Sequence, residues 1–328
     1  MNHKLLAQLS CVKCKAGRFG TAASLAKIVA NDATATLTCN NCGETYPIVN
    51  EIARFVPESN YADSFGFQWN THAATQLDSH CNVTVSRDRV FSVTGWPEEM
   101  KGETILEAGS GAGRFTEILV KTGANILSFD FSSAVDANRG NNGDNDNLLI
   151  FQGNIFDIPV PDQSIDKVFC LGVIQHTPDP KAAFMSLASK VRPGGSLVID
   201  IYALDLKAMF QWKYALRPIT MRIDNKKLYK FISTVTPMLV GPTKLLRKLA
   251  GRWGARLSPI VEYHYLGLDD KTNKQWAILD TFDMYSPAHD HPQSEDTVRD
   301  WFKEIGFEQV HVGRGPNGVV GRGVRPIT

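Results

Sequence analysis

The 328-residue sequence is short of several features that would narrow its class at once. It has no run of about 18 uncharged apolar residues, so no membrane-crossing helix is expected. No charged-then-apolar leader opens it, and a cytoplasmic protein is therefore expected. Neither charge sign dominates: 35 Lys and Arg face 34 Asp and Glu, a net charge of +1. That balance argues against a surface built to grip nucleic acid along its length. Internal repeats and low-complexity tracts are missing; residues 138–147 are a polar, turn-rich loop. Cysteines are few, six in all, yet four of them are tightly patterned. The length suits two units of about 100–200 residues each.

Against that plain background, one segment carries most of the information. The run Ile105–Ala108 enters the glycine-rich turn Gly109-Ser-Gly-Ala-Gly113, and a helix-like segment follows from Arg114 to Lys121. A second apolar run, Asn125–Asp130, then ends in an acid. This is the opening of a β-α-β unit with a nucleoside-binding loop, the terminal acid being suited to a ribose diol. The loop lacks what other nucleotide binders need. Arg114 occupies the place of the third glycine of a dinucleotide fingerprint, and no Lys-Ser or Lys-Thr follows to make a phosphate loop. Instead Glu107 precedes Gly109, Gly111 and Gly113. A carboxylate there repels a pyrophosphate but accepts hydrogen bonds, directly or through water, from an ammonium group. S-adenosylmethionine has an ammonium, a sulfonium and a ribose, and no phosphate.

At these residues the chain resembles the class I S-adenosylmethionine-dependent methyltransferases, and the resemblance extends for roughly a hundred residues. Gly153–Pro159 resembles the family's third-strand segment. Asp166–Asp179 resembles its fourth strand and following loop, and Val191–Ile199 the turn into its fifth. The resemblance implies an α/β fold: a doubly wound Rossmann-like sheet ending in an antiparallel hairpin, here Ile305–Val312 and Gly318–Val324. It also implies cofactor contacts from Glu107, Gly109, Gly111, Gly113, Asp130, Phe131, Asn154, Ile155 and Leu171. Asn154 stands where the family usually has Asp; an amide still meets adenine N6 through its oxygen.

The patterned cysteines are Cys11-x-x-Cys14 and Cys39-x-x-Cys42, 24 residues apart. Two such knuckles place four thiolates round one centre, the pattern of a closed, structural four-cysteine zinc site. Disulfides are disfavoured in a leaderless chain. The surrounding residues resemble the small zinc ribbons that activate, or are fused to, methyltransferases. The expected organisation is a ribbon over 1–57, an aromatic-rich helical lead-in over 58–102 and an S-adenosylmethionine-binding core over 103–202. A basic helical insertion, acting as a cap, follows over 203–262, and the sheet is completed over 263–328.

Methyl transfer needs alignment, exclusion of water and, for some acceptors, a proton acceptor, so no fixed motif marks its residues. The loop after the fourth strand carries Gln175 and His176; His176 is either a base or a wall of the cofactor pocket. A second cluster, Asp283–Pro292, holds Tyr285, His289, Asp290 and His291 ahead of a helix capped by Ser294. It reads as acceptor contact in preference to a His-x-His metal site or a polar surface loop. Candidate catalytic residues are thus His176, Tyr285, His289 and His291. The lead-in aromatics Tyr61, Phe65, Phe67 and Trp69 either cap the pocket or pack the segment onto the domain. From Trp212 to Arg256 eleven basic residues face one acid, Asp224. Pro237 and Pro242 are expected to cut this stretch into short helices. Its basic face suits an anionic acceptor, an anionic lipid surface, or RNA, or is simply solvated.

The favoured expectation is O-methylation of a small, sugar- or phosphate-bearing metabolite in a biosynthetic pathway. An RNA methyltransferase and a noncatalytic activator are the alternatives. Metal analysis of the purified chain is expected to give about one zinc per chain; a metal-free, folded chain would contradict the ribbon.

Overall fold

In a computed structural model the described residues are 2–19, 35–57, 60–204 and 212–327. Parts of three expected segments lie outside them: ribbon residues 20–34, lead-in residues 58–59 and insertion residues 205–211.

The apolar runs form the strands that their patterning predicts. β4 (Thr104–Ala108), β5 (Asn125–Asp130), β6 (Leu148–Gln152) and β7 (Ile165–Leu171) pair in parallel, as does β8 (Val191–Ile201) with β7. β4 and β6 are buried along their whole length, as strands covered on both faces must be. β9 (Glu308–Gly315) and β10 (Gly318–Val324) close the far edge as the expected antiparallel hairpin, β10 against β8. Strand order reverses at β4, which lies between β5 and β7, and ligands of such sheets sit beyond the strand tips at this switch point.

The ribbon is not a separate bead. Its strands β1 (Thr36–Thr38), β2 (Thr45–Val49) and β3 (Ile52–Arg54) continue the same sheet, giving the order β1-β2-β3-β6-β5-β4-β7-β8-β10-β9. β3 pairs in parallel with β6 through Ala53–Phe151 and Arg54–Gln152. Leu6, Leu9 and Leu37 share one buried cluster with Phe151, Phe184 and Phe302 of the main core. The expected boundary at residue 57 therefore falls beyond a strand already stitched into the sheet.

Helices cover both faces. Val90 and Val93 of Val85–Thr94, with Ile118 and Val135, pack on one face. Phe184 of Pro180–Lys190 and Trp301 and Phe302 of Glu295–Glu304 pack on the other. Local capping fixes where these helices begin. Asp179 accepts from the Ala182 N–H at 3.0 Å with Pro180 in the first turn, and Ser294 accepts from Thr297 at 3.1 Å. The lead-in is tied down by Arg89, whose guanidinium donates to the fully buried Asp200 at the end of β8, 2.6 Å away. Removing one member of such a buried pair costs about 3–5 kcal/mol.

The insertion corrects one expectation. A single helix, Asn225–Arg256, runs through both Pro237 and Pro242 and breaks instead at Ala250 and Gly251. Each proline forfeits one backbone hydrogen bond, but Leu228, Ile232, Thr236, Val240 and Thr243 make a continuous buried stripe. That stripe packs against the helix Asp270–Tyr285, through Phe282, Tyr285 and Ala277, and this packing outweighs the local defect. Asp270–Tyr285, expected among the elements completing the sheet, belongs with this helical cap.

Packing at the C-terminal hairpin is tight. A Cβ on Gly321 of β10 would lie 2.7 Å from Phe302 Cε2 and 2.8 Å from Val298 Cγ1. Gly321→Val is expected to lower the unfolding free energy by about 1–3 kcal/mol in a denaturant titration; an unchanged midpoint would contradict this packing.

Candidate active site and metal-binding cluster

A cavity of ≈ 1180 Å³ opens at the carboxyl ends of the parallel strands, roofed by the lead-in and cap helices. It exceeds the ~300–1,000 Å³ of a typical single-ligand pocket, so it has room for a donor and an acceptor together.

The glycine turn forms its floor. Gly109 and Gly111 have φ of +75° and +53°, where a side chain would be strained. Neither has room for one: a Cβ on Gly109 would stand 2.3 Å from Val173, and one on Gly111 3.1 Å from the Trp69 indole. Asp130, at the tip of β5, is held by three donors. The Gly111 N–H gives to Oδ2 at 3.0 Å, and the Ser132 N–H and hydroxyl give to Oδ1 at 2.8 and 2.7 Å. A carboxylate has about four acceptor positions, so one on Oδ2 remains for a ribose hydroxyl. The residues therefore fit the nucleoside of S-adenosylmethionine. Phe131, Gly153, Ile155 and Leu171 line the same end.

Other expected cofactor residues act from behind the wall. Glu107 is buried beneath the turn and does not line the cavity; its Oε2 accepts from Thr116 at 2.5 Å and Ser128 at 2.8 Å, while Oε1 has no partner. Burial pushes its carboxyl up to about 7. Gly113 gives clearance to Asn138 and Asn142, whose side chains sit 2.2–2.3 Å from its would-be Cβ. Asn154 turns back on the chain, accepting from the Phe156 N–H at 3.0 Å, and leaves Gly153 and Ile155 to face the cavity.

The lead-in aromatics divide by helical geometry. Phe65 and Trp69, one turn apart on the helix Asp63–Thr71, line the cavity with Tyr61. Phe67 faces the other way, onto Tyr229 and Phe282. The Thr75-Gln-Leu-Asp78 stretch also has a local purpose. Gln76 joins Arg114 to Asp280, and Asp78 accepts from the Ser86 and Arg87 N–H groups, each at 2.9 Å, at the start of Val85–Thr94. Arg114 lies on Phe115 and Trp276, and burial lowers its guanidinium to about 10.

Of the four expected catalytic candidates, only His176 lines the cavity. Its Nδ1 is 3.0 Å from the His289 carbonyl, so Nδ1 carries the proton and Nε2 is the acceptor. Burial lowers its pKa to about 4, keeping the ring neutral. Tyr285 is turned away, its hydroxyl donating to the Pro259 carbonyl at 2.7 Å. His289 and His291 stack on each other, centroids 5.7 Å apart, outside the cavity lining. Among the described residues they form no metal-binding group.

Tyr202, not singled out by the sequence reading, joins Asp283, Lys213 and Arg217 at the cap side of the cavity. The Tyr202 hydroxyl donates to Asp283 at 3.3 Å, and burial raises the Asp283 carboxyl to about 6. Lys213 pairs with Asp290 at 2.8 Å and lies 4.7 Å from the Tyr202 ring. Arg217, 8% exposed, bonds among the described residues to the carbonyls of Met284 and Pro287, at 3.5 and 2.8 Å. Its charge therefore meets no carboxylate among its bonded partners. The lysine and arginine of the basic run were visible in the sequence, but their convergence on Tyr202 was not.

Far from this cavity, the Sγ atoms of Cys11, Cys14, Cys39 and Cys42 lie within 4.8 Å of one another, with Cys11–Cys42 at 3.7 Å and Cys14–Cys39 at 3.6 Å. A tetrahedral ion with metal–sulfur bonds of about 2.3 Å sets its sulfurs about 3.8 Å apart, so the four fit one. The Gly17 and Asn41 N–H groups point at Cys14 and Cys39, as donors to thiolates do.

Residues 106–199 match the family model described as a methyltransferase domain. The chain contains a methyltransferase domain. The domain is 30% identical over 111 residues to the ubiquinone biosynthesis O-methyltransferase of Coxiella burnetii, covering 33% of this chain and 47% of that protein. An uncharacterized Synechococcus protein is 26% identical over 224 residues, 65% of this chain and 49% of its own length. The chain thus spans about half the length of these curated relatives. Human N-acetylserotonin methyltransferase, solved with S-adenosylmethionine, overlays with a TM-score of 0.41 at 12% identity, covering 83% of this chain and 60% of that one.

Glu107 gives this methyltransferase domain a pH signature. Its carboxyl lies at about 7 in the folded chain against an ordinary 4.5, so the folded state holds the proton more tightly. Its contribution is greatest at the acid end of that interval and is lost as pH rises through 7. Between about pH 5 and pH 8, Glu107→Gln should gain roughly 3 kcal/mol relative to the native ligand-free chain. Parallel melting curves check this, and a pH-independent difference would contradict it.

Proposed function

We propose that the chain is an S-adenosylmethionine-dependent methyltransferase that methylates an oxygen of a small anionic molecule, with a structural zinc held by the four cysteines of its ribbon. The observation that carries the reading is Asp130, clamped by Gly111 and Ser132 at the cavity floor with an acceptor position to spare. Bound there, S-adenosylmethionine supplies a methyl group on a positively charged sulfur, activated for in-line displacement. Asp130 would take the ribose, and Phe131, Ile155 and Leu171 would border the adenine. Tyr61, Phe65 and Trp69 would exclude water from above.

The acceptor would lie against the cap. Arg217, whose bonded partners among the described residues are carbonyls, is the group best suited to an anionic substituent. Asp283 would receive the acceptor's proton, since a carboxyl near pH 6 is ionised at neutral pH yet remains a usable base. Tyr202 holds it in place. The neutral His176, with Nε2 as acceptor, would orient the attacking hydroxyl. Oxygen as the attacked atom is supported by the name of the Coxiella burnetii relative. The four cysteines leave no open coordination position, so the metal would serve folding and not chemistry.

Calorimetry separates the two ends of the cavity. Asp130→Ala is expected to weaken S-adenosylmethionine binding at least tenfold, whereas Asp283→Asn leaves it within about twofold, the loss of one charged hydrogen-bond acceptor being about 1.5–3 kcal/mol. Undiminished binding by Asp130→Ala would refute the donor assignment.

A further inference from the structure

Among the described residues, the exposed large apolar side chains concentrate on the cap. Ten of the fourteen exposed large apolar residues among the described residues fall between Trp212 and Leu257. On the helix Asn225–Arg256 they are ordered. Phe231, Met238 and Leu245 recur every seven residues, with Leu249 a turn further on, and the last is 75% exposed. The opposite stripe, from Leu228 to Thr243, is the one buried against Asp270–Tyr285. One face of this helix is therefore spent on the fold, and the other stays exposed among the described residues. Isolated exposed apolar side chains are ordinary in folded proteins, but an aligned row of them marks an interaction surface.

The charge around the row identifies the occupant. The helix contains no Asp or Glu. Lys226, Lys227, Lys230, Lys244 and Lys248 are exposed along it, and none has an ion-pair partner among the described residues. Arg247, the basic residue whose guanidinium is committed, is turned inward to Glu262 at 2.5 Å. Apolar side chains flanked by lysines, on a helix whose one neighbouring acid is its cap Asp224, match an anionic bilayer, whose acyl region takes the former and whose headgroups take the latter. A second copy of the chain would bring the same positive charge to the contact and be repelled. No helix of the described residues is long and apolar enough to cross a membrane, so the contact is interfacial. The helix ends in Trp253 and Arg256, which line the cavity, so the row runs toward its rim.

We propose that the exposed face of Asn225–Arg256 docks the chain onto anionic lipid bilayers, Phe231, Met238 and Leu245 entering the interface and Lys230, Lys244 and Lys248 pairing with acidic headgroups. The proposal stands apart from the donor assignment, because vesicle binding reads no methyl transfer. The full chain is floated with vesicles of phosphatidylcholine alone and of phosphatidylcholine and phosphatidylglycerol in equal parts, at low and high salt. Binding to the second and not to the first is expected, weakening as salt screens the lysines. Each lysine near an anionic surface is worth roughly a fivefold gain in partitioning. Lys230→Glu/Lys244→Glu/Lys248→Glu should therefore lose more than about a hundredfold, and Phe231→Ser/Met238→Ser/Leu245→Ser at least about tenfold. Melting curves confirm that both triple variants stay folded. Equal partitioning onto the two vesicles, partitioning onto neither, or native-like binding by both variants would overturn the proposal. So would a lipid-free dimer dissolved by the serine variant, which would assign the face to a second copy. The comparison between vesicles on the native chain keeps the test decisive even if a variant misfolds.

Discussion

The site depends on one steric constraint: at Gly109 and Gly111 the chain has no side chain, and other residues fill the space a Cβ would take. Val173, from the loop after β7, stands against Gly109, and Trp69, from the lead-in helix, against Gly111. The turn thereby sets the distance between the sheet and its roof. It also brings the Gly111 N–H onto Asp130, so that the same bare backbone that admits the lead-in aims the carboxylate. A methyl group on Gly109 would run into Val173, and one on Gly111 would press the Trp69 indole.

Above that floor the cavity is electrostatically divided. At the glycine turn Asp130 is set among Phe131, Ile155 and Leu171. Beneath the cap Asp280 and Asp283 are both raised by burial to about 6, alongside Lys213 and Arg217. Low dielectric strengthens each of these charges for a bound ligand, and burial keeps the two acids near the point of changing state at neutral pH. Helices of the cap supply these four groups.

Much of this was legible in the sequence because its determinants are local. Glu107 to Gly113 and Asp130 are near neighbours in a β-α-β unit, and the paired C-x-x-C turns need only close spacing. The C-terminal hairpin announced itself by two short apolar runs around a turn. What escaped was long-range. Nothing in Ile52–Arg54 says that it will pair with β6 across a hundred residues and weld the ribbon to the sheet. Pro237 and Pro242 read as helix breakers because their local cost is visible and the opposing stripe on Asp270–Tyr285 is not. The cluster Asp283–Pro292 was visible as composition, but the meeting of Asp283 with Tyr202 and Arg217 depends on three separate segments folding together. Tyr285 shows the same limit: its polar tip is used by Pro259, a partner the sequence gives no means of choosing.

The central claim is that the donor's nucleoside lies between the glycine turn and Asp130, with the transferable end facing the cap. A crystal structure of the full chain with S-adenosylhomocysteine tests it most directly. The account predicts ribose hydroxyls on the Asp130 carboxylate, the adenine beside Phe131 and Ile155, and the sulfur on the side of Asp283 and His176. Ligand bound away from Asp130, or lying with its sulfur turned from the cap, would contradict it.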